Sequence, residues 1–258
     1  MRIIMLGDVV GEPGIAILEK RLPFLAAEYS ADFTVVNGEN ALGGFGLSAE
    51  TLDRILAAGA DAVTGGNHIW EKREFWPVLD SDKPMLRPAN YPVINAVPGR
   101  GMLRLEKNGF SVLVVNLQGR EMMTPIDCPF HCFDAITEGE AGVIIVDFHA
   151  ESAEEKEALA YYLDGRAGIV AGTHTHVQTA DERILPEGTA YITDLGMTGA
   201  MNGVIGMDKD ICISRTQSHV AYRMECARPL KEKDCAVQGI VVDLDEKGRA
   251  VNIKRISR

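Results

Sequence analysis

Short β-rich apolar runs alternate with longer stretches of helical period along the first quarter of the chain. Residues 2–6 form an apolar run that ends in Gly7-Asp8. Residues 15–29 place Leu18, Leu22, Leu25 and Ala26 on one stripe, which predicts a helix. Pro13 lies near its start, where a missing N–H costs little, and Pro23 marks a bend. Residues 33–37 predict a second strand, followed by Gly38-Glu39-Asn40. Ser48 then reads as the N-cap of a helix with Leu52, Ile55 and Leu56 on its apolar face, stopped by Gly59. Residues 61–64 predict a third strand running into Gly65-Gly66-Asn67-His68. This β-α-β-α-β order predicts a mainly parallel sheet with helices on its faces and right-handed crossovers.

The pattern then loosens. Residues 70–79 read as helical, and residues 84–98, with Pro84, Pro88, Pro92 and Pro98, as a long connection. Residues 102–106 and 110–117 predict a hairpin around Lys107-Asn108-Gly109. A strand over 143–146 ends in Asp147-Phe148-His149. Ser152-Ala153-Glu154-Glu155 reads as a capping box opening a helix that runs to Leu163 and stops near Gly165. Residues 168–171 predict a strand that runs into Gly172-Thr173-His174-Thr175-His176. Beyond it come a strand over 190–193, a glycine-rich loop over 196–206, strands over 211–214 and 221–224, and a hairpin over 237–256. Antiparallel strands are thus added to an α/β first half, which two sheets packed face to face with helices outside would accommodate. No linker interrupts the pattern, so residues 1–258 are read as a single domain.

Composition narrows the class. An apolar share of 46% suits a globular core, and no apolar run reaches the roughly 18 residues of a membrane span. The first apolar run is too short for a signal-peptide core and reads as a strand of a cytoplasmic protein. A formal charge of -11 argues against general nucleic-acid affinity but is compatible with a small anionic substrate if metal or local arginine supplies positive charge. The five cysteines are odd in number and form no Cys-x-x-Cys pair, so free thiols are expected. Cys128 to Cys132 resembles a zinc fragment but lacks a second ligand pair.

The candidate chemistry lies at the strand ends. In parallel α/β sheets ligands bind at the carboxyl ends of strands. Asp8, Glu39, Asn40, Asn67, His149, His174 and His176 all fall there, with His68 beside Asn67. If the chain stays extended past Ala171, His174 and His176 point the same way. Oxygen and imidazole donors without thiolate suit iron, manganese or zinc. Seven donors exceed the need of one ion and fit two ions about 3.5–4 Å apart that share a carboxylate, an arrangement used to hydrolyse phosphate esters. Singly, Asp8 reads equally as a cap, the asparagines as turn residues and His149 as structural; their convergence carries the argument. His131 and His219 have no place in the scheme.

The succession Gly7-Asp8, Gly38-Glu39-Asn40, Gly66-Asn67-His68, His149 and Gly172-Thr173-His174-Thr175-His176 resembles the calcineurin-like metallophosphoesterase superfamily. It looks most like the bacterial YmdB-like phosphodiesterases, a likeness extended by Thr193-Asp194-Leu195-Gly196-Met197-Thr198-Gly199. The wider superfamily pattern has a histidine where Val10 stands, an aspartate where Glu39 stands and an acidic residue where Ile69 stands; the YmdB-like subgroup shares these changes. The resemblance implies an α/β four-layer α/β/β/α sandwich of two packed mixed sheets. It further implies one metal held by Asp8, Glu39, Asn40 and His176, and another by Glu39, Asn67, His149 and His174. The cofactor expectation is two divalent or mixed-valence transition-metal ions, iron first and manganese or zinc next. The expected activity is hydrolysis of small 2′,3′- and 3′,5′-cyclic nucleotides by a metal-bridging hydroxide, with His68 as general acid. A phosphomonoesterase, an RNA-end nuclease and a nucleotide-binding regulator of low turnover are the alternatives. No membrane partner is expected, and self-association is left open.

Overall fold

The computed structural model describes residues 1–92 and 97–258. In one sheet the order is β2 (Asp8–Val9), β11 (Met197–Ala200), β12 (Cys235–Leu244), β1 (Arg2–Leu6), β3 (Phe33–Asn37) and β4 (Ala62–Thr64), with β13 (Ala250–Ser257) paired to β12. β1, β3 and β4 run parallel, and β12 is antiparallel to β1. The other sheet has the order β5 (Met102–Lys107), β6 (Phe110–Gln118), β7 (Val143–His149), β8 (Ile169–Thr173), β10 (Ala190–Ile192) and β9 (Arg183–Ile184). Here β6, β7, β8 and β10 are parallel.

Alternation along the strands generates the layers. Ile3 and Met5 of β1 share a cluster with Val112, Val114, Ile145 and Ile169 of the other sheet, so this cluster lies between the sheets. Ile4 and Leu6 turn the other way, to Leu18, Leu22 and Ile55 of α1 (Gly11–Tyr29) and α2 (Ala49–Ala57). On the far side, Leu113, Val115 and Val146 pack with Phe133 of α4 (Pro129–Thr137) and Leu159 of α5 (Ala153–Tyr162). The result is the four-layer α/β/β/α sandwich. None of its described helices is long and apolar enough to cross a membrane.

Several expectations are corrected. Residues 211–214 lie not in a strand but in α6 (Lys209–Ser218), where Asp208 caps the helix by accepting the Asp210 and Ile211 N–H groups, both at 3.0 Å. The β-branched Ile211 and Ile213 mislead because propensity is weak without a sheet edge to join. Residues 221–224 likewise form no strand. The glycine-rich loop hides β11, whose Gly199 lets its backbone pass close to Val10. The helix expected over 70–79 shrinks to a 3-10 turn, Arg73–Phe75, and the single turn α3 (Trp76–Leu79). α1 starts at Gly11 rather than residue 15, and Pro23 does not interrupt it. α4 has no counterpart in the sequence reading. Of the 84–98 connection, residues 93–96 lie outside the described residues. Ser48 caps α2 in a full capping box with Thr51. The Ser152 box is half formed: Ser152 Oγ accepts the Glu155 N–H, but the Glu155 carboxylate accepts the backbone N–H groups of Arg120 and Glu121 instead.

Candidate metal centre

The carboxyl ends of β1, β3, β4, β7 and β8 meet at one edge of the sandwich. Asp8 opens β2 immediately after β1, Glu39 and Asn40 follow β3, and Asn67 and His68 follow β4. His149 closes β7, and His174 and His176 follow β8. Asp8, Glu39 and His149 are all 0% exposed, so charge collects here away from water.

Around His149 Nε2 stand Glu39 Oε1 and Asn67 Oδ1 at 2.9 Å and His174 Nδ1 at 3.0 Å. The neighbours of these rings fix their orientation. Thr173 Oγ1 donates to Asp147 Oδ1 at 2.7 Å and accepts His149 Nδ1–H at 3.0 Å, which turns His149 Nε2 inward. His174 Nε2 lies 3.1 Å from Glu151 Oε2, which leaves Nδ1 for the centre. Four Lewis-basic atoms thus face one another, and Glu39 Oε1 is buried without a well-aligned hydrogen bond. Gly66 makes the convergence feasible, since a Cβ there would overlap both the His149 ring and Glu39 Oε2.

A second group adjoins the first. Asn40 Nδ2 lies 3.2 Å from both Asp8 Oδ1 and His176 Nε2. His176 Nδ1 donates to the Ile205 carbonyl at 2.9 Å, so its Nε2 faces Asp8 Oδ1, 3.6 Å away. Asp8 Oδ2 accepts the His174 backbone N–H at 3.2 Å and ties the two groups together. The expectation of an extended His-x-His is corrected: His174 and His176 have φ of 100° and 63°. The backbone leaves the strand at Thr173, and the two rings diverge to different groups.

Electrostatics follow from this crowding. Burial pushes Asp8 up, but the bond and charge of His176 and the charge of His149 outweigh it and hold the carboxyl well below its usual range. Glu39 is also lowered, its burial outweighed by His149. Burial opposes a charge on His149, yet Glu39, Asp8 and Asp147 raise it to about 9. His174, partly buried and facing the charge of His149, falls to about 4. His176 is raised, the Asp8 bond prevailing over burial. Burial lifts Asp147 to about 6 despite its bonds to Thr64 and Thr173. Two buried carboxylates therefore gather protons where a cation would sit, and a cation must displace them to bind.

His68 stands at the rim. Its N–H donates to Glu39 Oε2 at 3.0 Å, its Nδ1 lies 3.2 Å from Glu71 Oε1, and its ring meets Phe45 edge-on at 4.9 Å. Ile69 is buried in the core, so the nearby acid is Glu71. A cavity of about 300 Å³ opens above the centre, lined by Asn40, Phe45, His68, Glu151, His174 and His176 among others. A larger hollow of about 750 Å³, between Glu12 and Arg223, is lined by none of the predicted site residues. Sequence reasoning missed Asp147, Thr173, Glu151 and Glu71. Asp147 had a signal, since it shares the strand face of His149 two residues on; Glu151 and Glu71 had none.

Residues 4–256 match the model of a family described as YmdB-like protein. The 2′,3′-cyclic-nucleotide 2′-phosphodiesterase of Bacillus subtilis (strain 168) is 45% identical over 260 residues, covering 99% of this chain and 96% of that protein. A hypothetical protein from Thermus thermophilus superposes with a TM-score of 0.93 at 39% identity, covering 100% of this chain and 99% of its own. A phosphatase of Mycoplasma pneumoniae, described as novel, also reaches 0.93, at 32% identity over 100% of this chain and 93% of its own.

Proposed function

The chain belongs to the YmdB-like family, and on that premise we propose a metal-dependent phosphodiesterase that hydrolyses 2′,3′-cyclic nucleotides, with 3′,5′-cyclic nucleotides as further substrates. The observation that carries this is the meeting of Glu39, Asn67 and His174 around His149 Nε2 within 3.0 Å. No single proton can satisfy four such atoms, whereas a cation can. Glu39, Asn67, His149 and His174 would hold one ion, and Asp8, Asn40 and His176 the other, with Glu39 shared. As a ligand, Asn40 would offer its amide oxygen in place of its nitrogen. Oxygen and nitrogen donors suit iron, manganese or zinc alike, and the family resemblance puts iron first. Two bound cations supply Lewis acidity toward the phosphoryl oxygens and an acidified water near neutral pH.

The chain's own groups do the rest. Glu71 engages His68 Nδ1, which leaves Nε2 toward the cavity to give a proton to the departing oxygen. Thr173, Glu151 and the Ile205 carbonyl fix the three imidazoles so that little reorganisation is needed. Both sheets contribute to the centre, which supports reading residues 1–258 as one domain. The free thiols of all five cysteines suit a cytoplasmic enzyme. The test is protein purified without chelators, assayed for metal content and against a panel of cyclic nucleotides and phosphomonoesters. Bound transition metal with diester turnover is expected. Metal-free protein that hydrolyses nothing would sink the reading, and monoester preference would replace it with a phosphatase.

A further inference from the structure

The cavity above the histidines is not isolated. Phe45, Arg215 and Met224 line it and also line an adjoining groove of about 650 Å³ that continues to Thr216, His219 and Tyr222. The two hollows therefore form one path with those three residues at the junction. The inner cavity, at about 300 Å³, is at the small end of ligand pockets, which run to about 1,000 Å³. It suits one nucleotide, and the outer groove is space that a mononucleotide leaves unused.

The chemistry of the path is specific. Arg215 is the sole Lys or Arg among the described residues lining either hollow, and no Asp or Glu lines the outer one. Its guanidinium forms no hydrogen bond or ion pair among the described residues, whereas nine of the chain's sixteen arginines are ion-paired there. A 2′,3′-cyclic mononucleotide has one anionic group, which the metal centre would take, and its 5′ position is a neutral hydroxyl. Arg215 then faces no partner. In an RNA strand that ends in a 2′,3′-cyclic phosphate, the 5′ position instead carries a second phosphate, on the side away from the reacting one. Beyond Arg215, Tyr222 is 43% exposed in the groove and offers a face on which a base can stack.

We propose that the preferred substrate is the 2′,3′-cyclic phosphate at the 3′ end of a short single-stranded RNA, with Arg215 binding the next phosphate upstream and the Tyr222 groove holding the penultimate nucleoside. This rests on the diesterase reading above. Water oxygen bonds to phosphorus as the P–O2′ bond breaks; one water proton ends on O2′ and the other on the 3′-monoester or in solvent. A single arginine and one stacking face read an end, which accords with a surface too acidic for general nucleic-acid binding.

The test compares three substrates on the metal-loaded protein: uridine 2′,3′-cyclic phosphate, its 5′-phosphorylated form, and the dinucleotide uridylyl-uridine ending in a 2′,3′-cyclic phosphate. The expected kcat/KM for the dinucleotide exceeds that for the plain mononucleotide by about tenfold or more, mostly through KM, the scale of one charge-assisted hydrogen bond. Arg215→Ala should collapse that ratio, Arg215→Lys should retain part of it, and Tyr222→Ala should lower it for the dinucleotide but not for the 5′-phosphorylated form. Equal kcat/KM for the plain mononucleotide and dinucleotide, or a ratio that survives Arg215→Ala, overturns the proposal. A 5′-phosphorylated mononucleotide as good as the dinucleotide overturns the groove's part in it. Hydrolysis of the mononucleotide alone refutes the RNA-end preference and leaves the diesterase reading standing; hydrolysis of none of the three overturns both.

Discussion

Thr173 links the buried carboxylate of Asp147 to His149, and Thr173→Val isolates that link without changing shape. Thr173 and His149 are 0% exposed and Asp147 is 1% exposed, so no water replaces the lost hydroxyl. The change removes the 3.0 Å bond from His149 Nδ1 and the 2.7 Å bond to Asp147 Oδ1, and strands both atoms. Each buried orphan costs about 1–3 kcal/mol, so the pair costs about 2–6 kcal/mol. The lower part of that range is expected, because Asp147 is already raised to about 6 by burial and becomes neutral more readily once the bond is gone. His149 also loses the contact that orients Nε2, and such losses weaken metal binding by about 10–100-fold. Affinity is read by competition with a chromophoric chelator, and stability by melts of the metal-free protein. Thr64→Val is the control. It removes the Thr64 bond to Asp147 Oδ2 without touching His149, and should lower stability while sparing metal affinity. Thr173→Ser should restore both. Wild-type metal affinity in Thr173→Val, or an equal loss in Thr64→Val, would refute the orienting role.

His68→Ala should retain its metal but lose turnover by about 10²–10⁴-fold, the range of one general acid; wild-type turnover would remove His68 from the chemistry. Gly66→Ala drives a methyl into His149 and Glu39, so elemental analysis should find its metal depleted, and a full metal complement would contradict the packing. The pH response of the metal-free protein follows from His149, whose value rises from 6.5 to about 9. Its contribution is complete below 6.5 and is lost as pH rises through 9, so urea melts in chelator should show stability falling by about 3 kcal/mol across that window. A rise over the same window would contradict the charge assignment.

The parallel core was legible because its strands are buried on both faces and its helices carry clean stripes; β1, β3 and β4, with α1 and α2, lie where periodicity puts them, apart from the early start of α1. What failed has a common cause. β11 contains Gly199 and Ala200, small residues that look like a loop until β12 and β2 supply its ladder. Residues 211–214 look like a strand because Ile211 and Ile213 are β-branched, yet Asp208 supplies a cap and no edge supplies a partner. In both places tertiary pairing, which a local pattern does not carry, decides the outcome.

The site shows the same division more sharply. Residue type and position at strand ends suggested which side chains meet, and the family resemblance divided the two late histidines between two groups, but the backbone turn that parts them was not legible. A strand would have sent them the same way. Instead both adopt left-handed backbone, a conformation that costs about 1–3 kcal/mol for each residue outside glycine and persists only when the surroundings hold it. Those surroundings are identifiable. Asp8 Oδ2 accepts the His174 N–H, Asp194 Oδ2 accepts the Thr175 N–H at 3.1 Å, and the Ile205 carbonyl accepts His176 Nδ1–H. Asp194 is itself pinned by Lys156 at 2.8 Å in an ion pair whose side chains are both 1% exposed. Such a buried pair is weak evidence for net stability, but removing one partner leaves an uncompensated charge. Its position under Thr175 gives it a geometric use, because it fixes the turn that sends His174 toward His149 and His176 toward Asp8. The strained turn and the buried pair thus belong to one arrangement, in which a short motif sends its two imidazoles to two neighbouring side-chain groups rather than one.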